Sequence, residues 1–461
     1  MKNILYIHTH DTGRFTSVYG KNVPTPHLKA FAGNALVFRN AFCASPTCSP
    51  SRGAMLTGRY PHENGLEGLA HRGFSIKDKS GHLAAFLQRN GFETVLCGVQ
   101  HEEKGYDYTD ASEIYSRRLG YEKNISYYIE DGVRPDKEKA DQENAKRAAD
   151  YLRAYSGDKP FFLSYGMFHT HRPYPELTEE EKKEFPADEV ELPRNVYDNP
   201  GAREDTACLY KSLKLFDENF QTVIDALKEN GLYDNTIILS TTDHGLANPF
   251  SKCNLTDDGM GVSLIMRIPD YPESFGRWYD GMVSHVDIFP TLCEAEGLEL
   301  PENLSGFSLL PVFRDTSKKV RDQVYGEINF HTSYEPARCI RTERYKYIRY
   351  YDATWKKYNM TNCDDSNLKT FLVEAGWRQK SKAGEWLFDL YFDPCERNNL
   401  AEEPEYADIV KEMRERLETW RKETNDHIMT ADEYMGHCKL NRKDDLSPTV
   451  TRPEQLESRI Q

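Results

Sequence analysis

Short apolar runs alternate along this chain with longer stretches of helical periodicity, and that alternation restricts it to an α/β layered fold. Residues 3–8, 36–42, 94–98, 161–166, 236–241 and 262–268 read as strands able to form the centre of one sheet. Between them, 26–33, the segment after Pro50, 83–90, 144–155, 205–230 and 287–296 carry helical patterns. A chain of 461 residues exceeds what one core usually serves, so two unequal domains are expected. After about residue 334 the pattern changes to a basic and aromatic strand pair over 338–351, a strand over 386–391 and a helix over 405–424. The expected division is a large domain over 1–335, a small antiparallel-sheet domain with a covering helix over 336–440, and a polar tail over 441–461. Segments 102–136 and 173–200 are polar, rich in Tyr, Pro and acidic residues, and longer than ordinary connections, which marks them as candidate pocket-shaping loops.

A formal net charge of −15 and a pI near 5.5 oppose nonspecific nucleic-acid binding or attachment to an anionic membrane. No apolar run approaches membrane-spanning length. Ten cysteines form no Cys-x-x-Cys pair, and residues 1–5 read as the start of a strand rather than a leader, so a cytoplasmic protein with reduced thiols is expected.

The densest local signal is Cys48-Ser49-Pro50-Ser51-Arg52-Gly53-Ala54-Met55-Leu56-Thr57-Gly58-Arg59-Tyr60. Pro50 suits a first helical turn, where no donor is required, and Gly58 suits a helix end. Cys48 would then lie beside a helix N-terminus, where amide donors and the positive dipole end gather, and Arg52 adds a forked guanidinium suited to tetrahedral oxyanions. Read alone, Cys48 is more readily a buried thiol before an ordinary helix; it is the thirteen-residue pattern that favours the reactive reading. Other reactive side chains fall just after expected strands, where ligands of α/β sheets sit. They are His10 and Asp11, His101, His169 with His171 and Arg172, Asp243 with His244, and Lys252. Singly, each has a bland reading as a turn cap, a loop histidine or a solvated lysine.

Together, Cys-x-Pro-Ser-Arg and Leu-Thr-Gly-Arg resemble the motif of the sulfatase family, in which the cysteine is oxidised to formylglycine. The stretch Leu387-Phe388-Asp389-Leu390 with Asp393-Pro394, Glu396 and Asn399-Leu400 is similar to that family's C-terminal signature, so the resemblance covers nearly the whole chain. Residues His62, Asn64, Gly65, Gly68 and Leu69, Phe168-His169 with His171-Arg172, Asn254-Leu255, and Trp420, Glu423, Thr424 and Asp426 resemble the heparan N-sulfatase, or sulfamidase, type. The resemblance implies an alkaline-phosphatase-like α/β fold: a large mixed sheet sandwiched by helices, plus a smaller C-terminal α+β domain with an antiparallel sheet.

It also implies a mechanism. A hydrated aldehyde at Cys48 has two hydroxyls: one attacks sulfur and expels the alcohol or amine, and deprotonation of the other releases sulfate, so no water need attack sulfur. Carried over residue by residue, Asp11, Asp243 and His244 would hold a divalent cation touching position 48. His10 stands where the family usually has a second carboxylate. The resemblance implies Ca²⁺, while an imidazole at position 10 leaves Mg²⁺, Mn²⁺ or Zn²⁺ open, or places His10 outside the first shell of ligands. Cys48, Arg52, His101 and His171 are the catalytic candidates, with His171 as general acid. Lys252, His169, Arg172, His331 and Arg338 are candidates for contacting substrate. Val99 occupies the place of a family lysine, so Arg72, Lys104 or another base would have to replace that charge.

The expected activity is hydrolysis of sulfate esters or sulfamides on a glycosaminoglycan-derived amino sugar, a sulfated mono- or oligosaccharide. The expected partner in maturation is a formylglycine-generating or radical-SAM enzyme. Two other readings remain open at this level. One is a phosphonate monoester hydrolase or phosphodiesterase of the same superfamily. The other is an inactive carbohydrate-binding relative with unoxidised Cys48.

Overall fold

A computed structural model describes residues 1–104, 110–127, 136–434 and 438–447. Parts of the candidate loop over 102–136, and the tail beyond 447, lie outside the described residues. Eight strands make the large sheet: β1 (Asn3–Thr9), β2 (Leu36–Phe42), β3 (Glu93–Gly98), β4 (Lys123–Asn124), β5 (Phe161–Gly166), β6 (Thr236–Thr242), β7 (Leu264–Arg267) and β8 (Trp278–Ser284). Their order is β4-β3-β5-β1-β6-β7-β2-β8, and β7 runs antiparallel to both neighbours while the other pairs are parallel.

Both faces of this sheet are covered, as the apolar runs require. On one face Ile4 and Tyr6 join Met55, Leu83, Leu87, Ile288, Phe289 and Leu292 from three short helices. On the other, Leu5 and Ile7 join Leu213, Phe216, Phe220 and Ile224 of the helix Pro200–Glu229. Ala145, Ala148 and Ala149 of Lys137–Ala154 pack into that same layer, where small side chains let a helix lie close to the strands. The expected strands are found in place. The strand Trp278–Ser284 was not anticipated, because Asp280 and Gly281 interrupt its apolar pattern.

The second sheet is fully antiparallel, in the order β12-β11-β10-β9, from β9 (Gln323–Phe330), β10 (Tyr334–Thr342), β11 (Tyr345–Tyr350) and β12 (Glu385–Asp389). Helix Ala407–Glu423 covers one face with Val410, Met413, Leu417 and Trp420 against Ile340, Tyr347 and Leu387. The other face, through Ile328, Cys339, Ile348 and Phe388, merges into the core of the large sheet. The small sheet therefore begins at Gln323, ahead of residue 336, and shares its core with the larger layer. Among the described residues no helix is long and apolar enough to cross a membrane.

Candidate active site

Strand register brings the acidic loops together. His8 pairs with Thr241 and Thr9 with Thr242 in the parallel β1/β6 ladder, so the next residues of each strand emerge side by side. Asp11 adopts a left-handed backbone (φ 54°), an uncommon conformation outside glycine, which turns the chain sharply just beyond the C-terminal end of the central strand β1. Its amide donates to Asp243 Oδ1 at 2.8 Å, and the His244 amide donates to the same oxygen at 2.9 Å. Gly13 follows with φ 56°, packed so that a Cβ there would lie 3.1 Å from Gly245 Cα.

Cys48 is the first residue of the helix Cys48–Thr57, preceded by Thr47 in extended conformation. Pro50 falls within the first turn, and Gly58 ends the helix in a left-handed conformation with its amide donating to Ala54 O. Cys48 Sγ lies 3.4 Å from His244 Nε2. Burial alone would raise the thiol's pKa, but Lys252, His10 and hydrogen bonding with His10 and His101 hold it well below its ordinary value.

Arg52 plays a different part from the open oxyanion fork expected of it. Its side chain is fully buried, with Nη2 donating to Thr9 O at 3.0 Å and Asp243 Oδ2 at 3.1 Å, and Nη1 against His8 Nδ1. The guanidinium fixes Asp243 from beneath.

Around Cys48 stands a ring of imidazoles. His101 follows β3, stacks on His71 at 5.5 Å and is pushed by burial down to about 4, against the pull of Cys48. His171 follows β5; its Nδ1 is committed to Arg172 O at 2.5 Å, so Nε2 faces Lys252 Nζ at 3.4 Å and Asp11 Oδ2 at 3.8 Å. Its side chain is 30% exposed while those of Asp11, Asp243 and His244 are wholly buried, which puts His171 at the mouth of the site. Lys252 Nζ bridges Asp11 Oδ2 at 3.0 Å and Asp364 Oδ2 at 2.9 Å. Burial works against its charge, but the two carboxylates hold its pKa well above the usual lysine value. His331 touches the same helix start, with Nδ1 2.7 Å from Thr47 Oγ1.

Three candidates for contacting substrate have other work. His169 Nδ1 is held by Asp141 Oδ2 at 2.5 Å, beneath the loop. Arg172 clamps the loop to its surroundings: its guanidinium meets both oxygens of Asp205, and Nε donates to Ala247 O at 2.7 Å and Nη2 to Asn248 Oδ1 at 2.9 Å. Arg338 is fully buried in the small sheet and bidentate to Asp426 at 2.6 and 2.7 Å, so it cannot reach a sugar.

Sequence reasoning missed Asp364 and Lys137. Asp364 lies in Asn362-Cys363-Asp364-Asp365, which carries no recognisable motif. Lys137 Nζ donates to Arg172 O at 2.6 Å and His171 O at 3.3 Å, and burial lowers its pKa to about 8. Val99 packs against Ala140 and Phe168. Arg72 is engaged with Lys439 O and Asn441, and Lys104 is exposed. Among the described residues, Lys252 and Lys137 stand as cations beside His171.

Donor atoms of Asp11, Cys48, Asp243 and His244 all lie within 4.8 Å of one another, as do those of His10, Asp11, Cys48 and His171. Paired carboxylates and imidazoles at this spacing fit a divalent cation. His244 Nδ1 is fixed 3.0 Å from Gly245 O, leaving Nε2 turned toward Asp11 and Cys48. Burial opposes a proton there, but Asp243 and Asp11 raise His244 to about 9, a measure of how strongly the pocket attracts positive charge.

The family model for sulfatases matches residues 2–298, and one described as N-sulphoglucosamine sulphohydrolase, C-terminal, matches 243–379. Human N-sulphoglucosamine sulphohydrolase is 26% identical, over 95% of this chain and 94% of that protein. A solved structure of a protein bound to its substrate D-glucosamine-2-N,6-O-disulfate superimposes with a TM-score of 0.66 at 19% identity, covering 92% of this chain and 98% of the other. The phosphonate monoester hydrolase of Agrobacterium radiobacter gives a TM-score of 0.68 at 20% identity, over 92% and 96% of the two chains. These structural likenesses bear on the fold, and it is the alkaline-phosphatase-like fold expected.

Proposed function

This chain belongs to the sulfatase family, and we propose that it cleaves sulfate esters or sulfamides of a glycosaminoglycan-derived amino sugar after Cys48 is oxidised to formylglycine. The observation that carries this reading is the convergence of Cys48 with Asp11, Asp243 and His244 at a helix N-terminus. As a sulfuric ester hydrolase the chain needs a nucleophile, a counter-charge for sulfate and a proton donor for the leaving atom. The oxidised side chain would supply a hydrated aldehyde as nucleophile, and a divalent cation, which Asp11, Asp243 and His244 would hold, would make it more acidic.

The chain's own residues do the rest. Lys252 presents a buried ammonium beside the reacting group. His171, whose Nδ1 donates to Arg172 O, turns Nε2 toward the site mouth; a proton taken up there by Nε2 is held loosely, because burial and Lys252 lower the ring's pKa, and can pass to a departing oxygen or nitrogen. His101, held near neutral charge by burial, can take a proton from position 48. Arg52 and the two backbone amides on Asp243 keep that carboxylate from rotating as charge moves.

Sulfamide cleavage is favoured over other sulfates by the match over 243–379 and by the human relative that spans nearly the whole chain. A cytoplasmic setting, with small saccharides as substrate, is part of the same proposal. The test pairs two measurements. Mass spectrometry of the peptide spanning Cys48, from a maturation-competent host, is expected to find the aldehyde; thiol alone would overturn the formylglycine reading. Parallel assays on N-sulfoglucosamine, aryl sulfates and phosphonate monoesters are expected to favour the sulfated compounds, and preference for the phosphonate would replace this function with phosphonate hydrolysis.

A further inference from the structure

Position 10 carries imidazole where the sulfatase pattern carries a carboxylate, and the side chain is turned into the acidic pocket. His10 Nδ1 lies 3.0 Å from Asp243 Oδ2 and 3.4 Å from Asp11 Oδ1. From the other loop, His244 Nε2 lies 3.2 Å from Asp11 Oδ1 and 3.7 Å from Asp243 Oδ2. Two imidazole nitrogens thus approach the same two carboxylate oxygens. The His10 ring is held edge-on to His171 at 4.8 Å and tilted against His101 at 5.7 Å, and only 3% of the side chain is exposed.

The remaining carboxylate oxygens are already engaged. Asp11 Oδ2 accepts from Lys252 Nζ at 3.0 Å, and Asp243 Oδ1 accepts from the amides of Asp11 and His244. Asp243 Oδ2 also accepts from Arg52 Nη2 at 3.1 Å, so each aspartate offers a cation at most one oxygen, that of Asp243 through its second lone pair, and neither is disposed to bind through both. Ca²⁺ requires six to eight oxygen ligands and commonly takes carboxylates through both oxygens, whereas imidazole suits first-row transition ions. Replacing a carboxylate by imidazole also removes one negative charge, which weakens the field that a hard cation depends on.

We infer that His10 and His244 join one oxygen each of Asp11 and Asp243 in a two-nitrogen, two-oxygen donor set that selects a first-row transition ion over Ca²⁺ or Mg²⁺. This rests on the reading that the pocket holds a divalent cation. His10 is then the residue that sets metal choice in this chain.

The experiment is equilibrium dialysis of chelator-treated protein against Ca²⁺, Mg²⁺, Mn²⁺ and Zn²⁺ together, with bound metal measured by mass spectrometry, followed by calorimetric titration of Mn²⁺ and Ca²⁺ separately. The wild type is expected to favour Mn²⁺ over Ca²⁺ about 100-fold, and His10→Asp to cut that ratio at least tenfold. His10→Asn, nearly isosteric but without a ring nitrogen, should cut it as well. Pulsed electron paramagnetic resonance of the Mn²⁺-loaded wild type needs no variant and is expected to find couplings from two imidazole nitrogens. Preference for Ca²⁺, or coupling to one imidazole, overturns the assignment of His10 and leaves the cation reading intact. Failure of every ion to bind overturns both.

Discussion

Of the buried Arg–Asp pairs in this molecule, Arg52–Asp243 and Arg338–Asp426 differ most in their surroundings, which separate a reactive site from a buttress. Arg52 meets Asp243 through one nitrogen, and the carboxylate is shared with His10 and two backbone amides at the end of the large sheet. Arg338 meets both oxygens of Asp426, which also receives Arg421 Nε at 3.2 Å, and the pair closes the small sheet against the segment after the covering helix. In the first, several positive groups converge on carboxylates that lie beside a reactive side chain. In the second, every strong partner is spent within the pair and its neighbours. Burial and charge alone do not mark a functional residue; what matters is whether the charge is aimed at a place where another group can enter.

The comparison can be broken at its first member by Cys48→Ala. The thiol contributes little packing, so turnover is expected to fall at least roughly a thousandfold with the thermal midpoint nearly unchanged. Activity surviving in that variant would detach the first pair from chemistry altogether. A smaller, substrate-dependent effect is expected at His171. With His171→Ala, substrates with poor leaving groups should slow by roughly 10²–10⁴-fold and those with good leaving groups much less, read from a series of aryl sulfates. Equal losses across the series would remove His171 as proton donor.

The second member should break differently. Arg338→Ala leaves Asp426 buried without its main partner, and loss of one partner from such a pair costs about 3–5 kcal/mol. Denaturant unfolding should report that loss while turnover per folded molecule stays near wild type. Burial would raise the Asp426 carboxyl, but Arg338 more than offsets this and its pKa is lowered below the ordinary value. A carboxylate depressed in the folded state stabilises fully above its unfolded pKa of about 3.9, and that contribution is lost as pH falls below it. The variant should therefore lose part of the wild type's destabilisation on acidification below about pH 4. An unchanged acid profile would mean that this pair is not a stabilising one.

The same contrast explains what could be read in advance. Strands such as Phe161–Gly166 and Thr236–Thr242 were legible because both faces are buried and each is built on three consecutive apolar residues among β-forming ones. Cys48 and the Asp243-His244 pair were legible because their motif and strand-end position are local properties. Arg172 and Arg338 were misplaced because a sequence gives a guanidinium but not its direction, and here Asp205 and Asp426 claim them. Residues 323–326 read as a strand in the sequence, but only the pairing of β9 with β10 assigns them to the small sheet.

Asp364 was invisible for the most physical reason, since its reach to the site depends on how the small domain packs. Asn362 anchors the segment, its Oδ1 accepting from the amides of Thr332 at 3.1 Å and Ser333 at 2.9 Å, and Asp364 then meets Lys252 at 2.9 Å. The small domain thus supplies a counter-charge that holds a cation of the large one. With Asp364→Asn, Lys252 keeps Asp11 as partner but loses the 2.9 Å ion pair with the second carboxylate, and only part of that loss can bear on substrate. KM should rise about tenfold with kcat changed less, and Asp364→Glu should recover part of the loss. In a double-mutant cycle with Lys252→Ala the two losses should be far from additive, because both act through one ammonium. Additive losses would show Asp364 acting on substrate independently of Lys252, and the boundary between a reactive region and a supporting one would then run through the small domain itself.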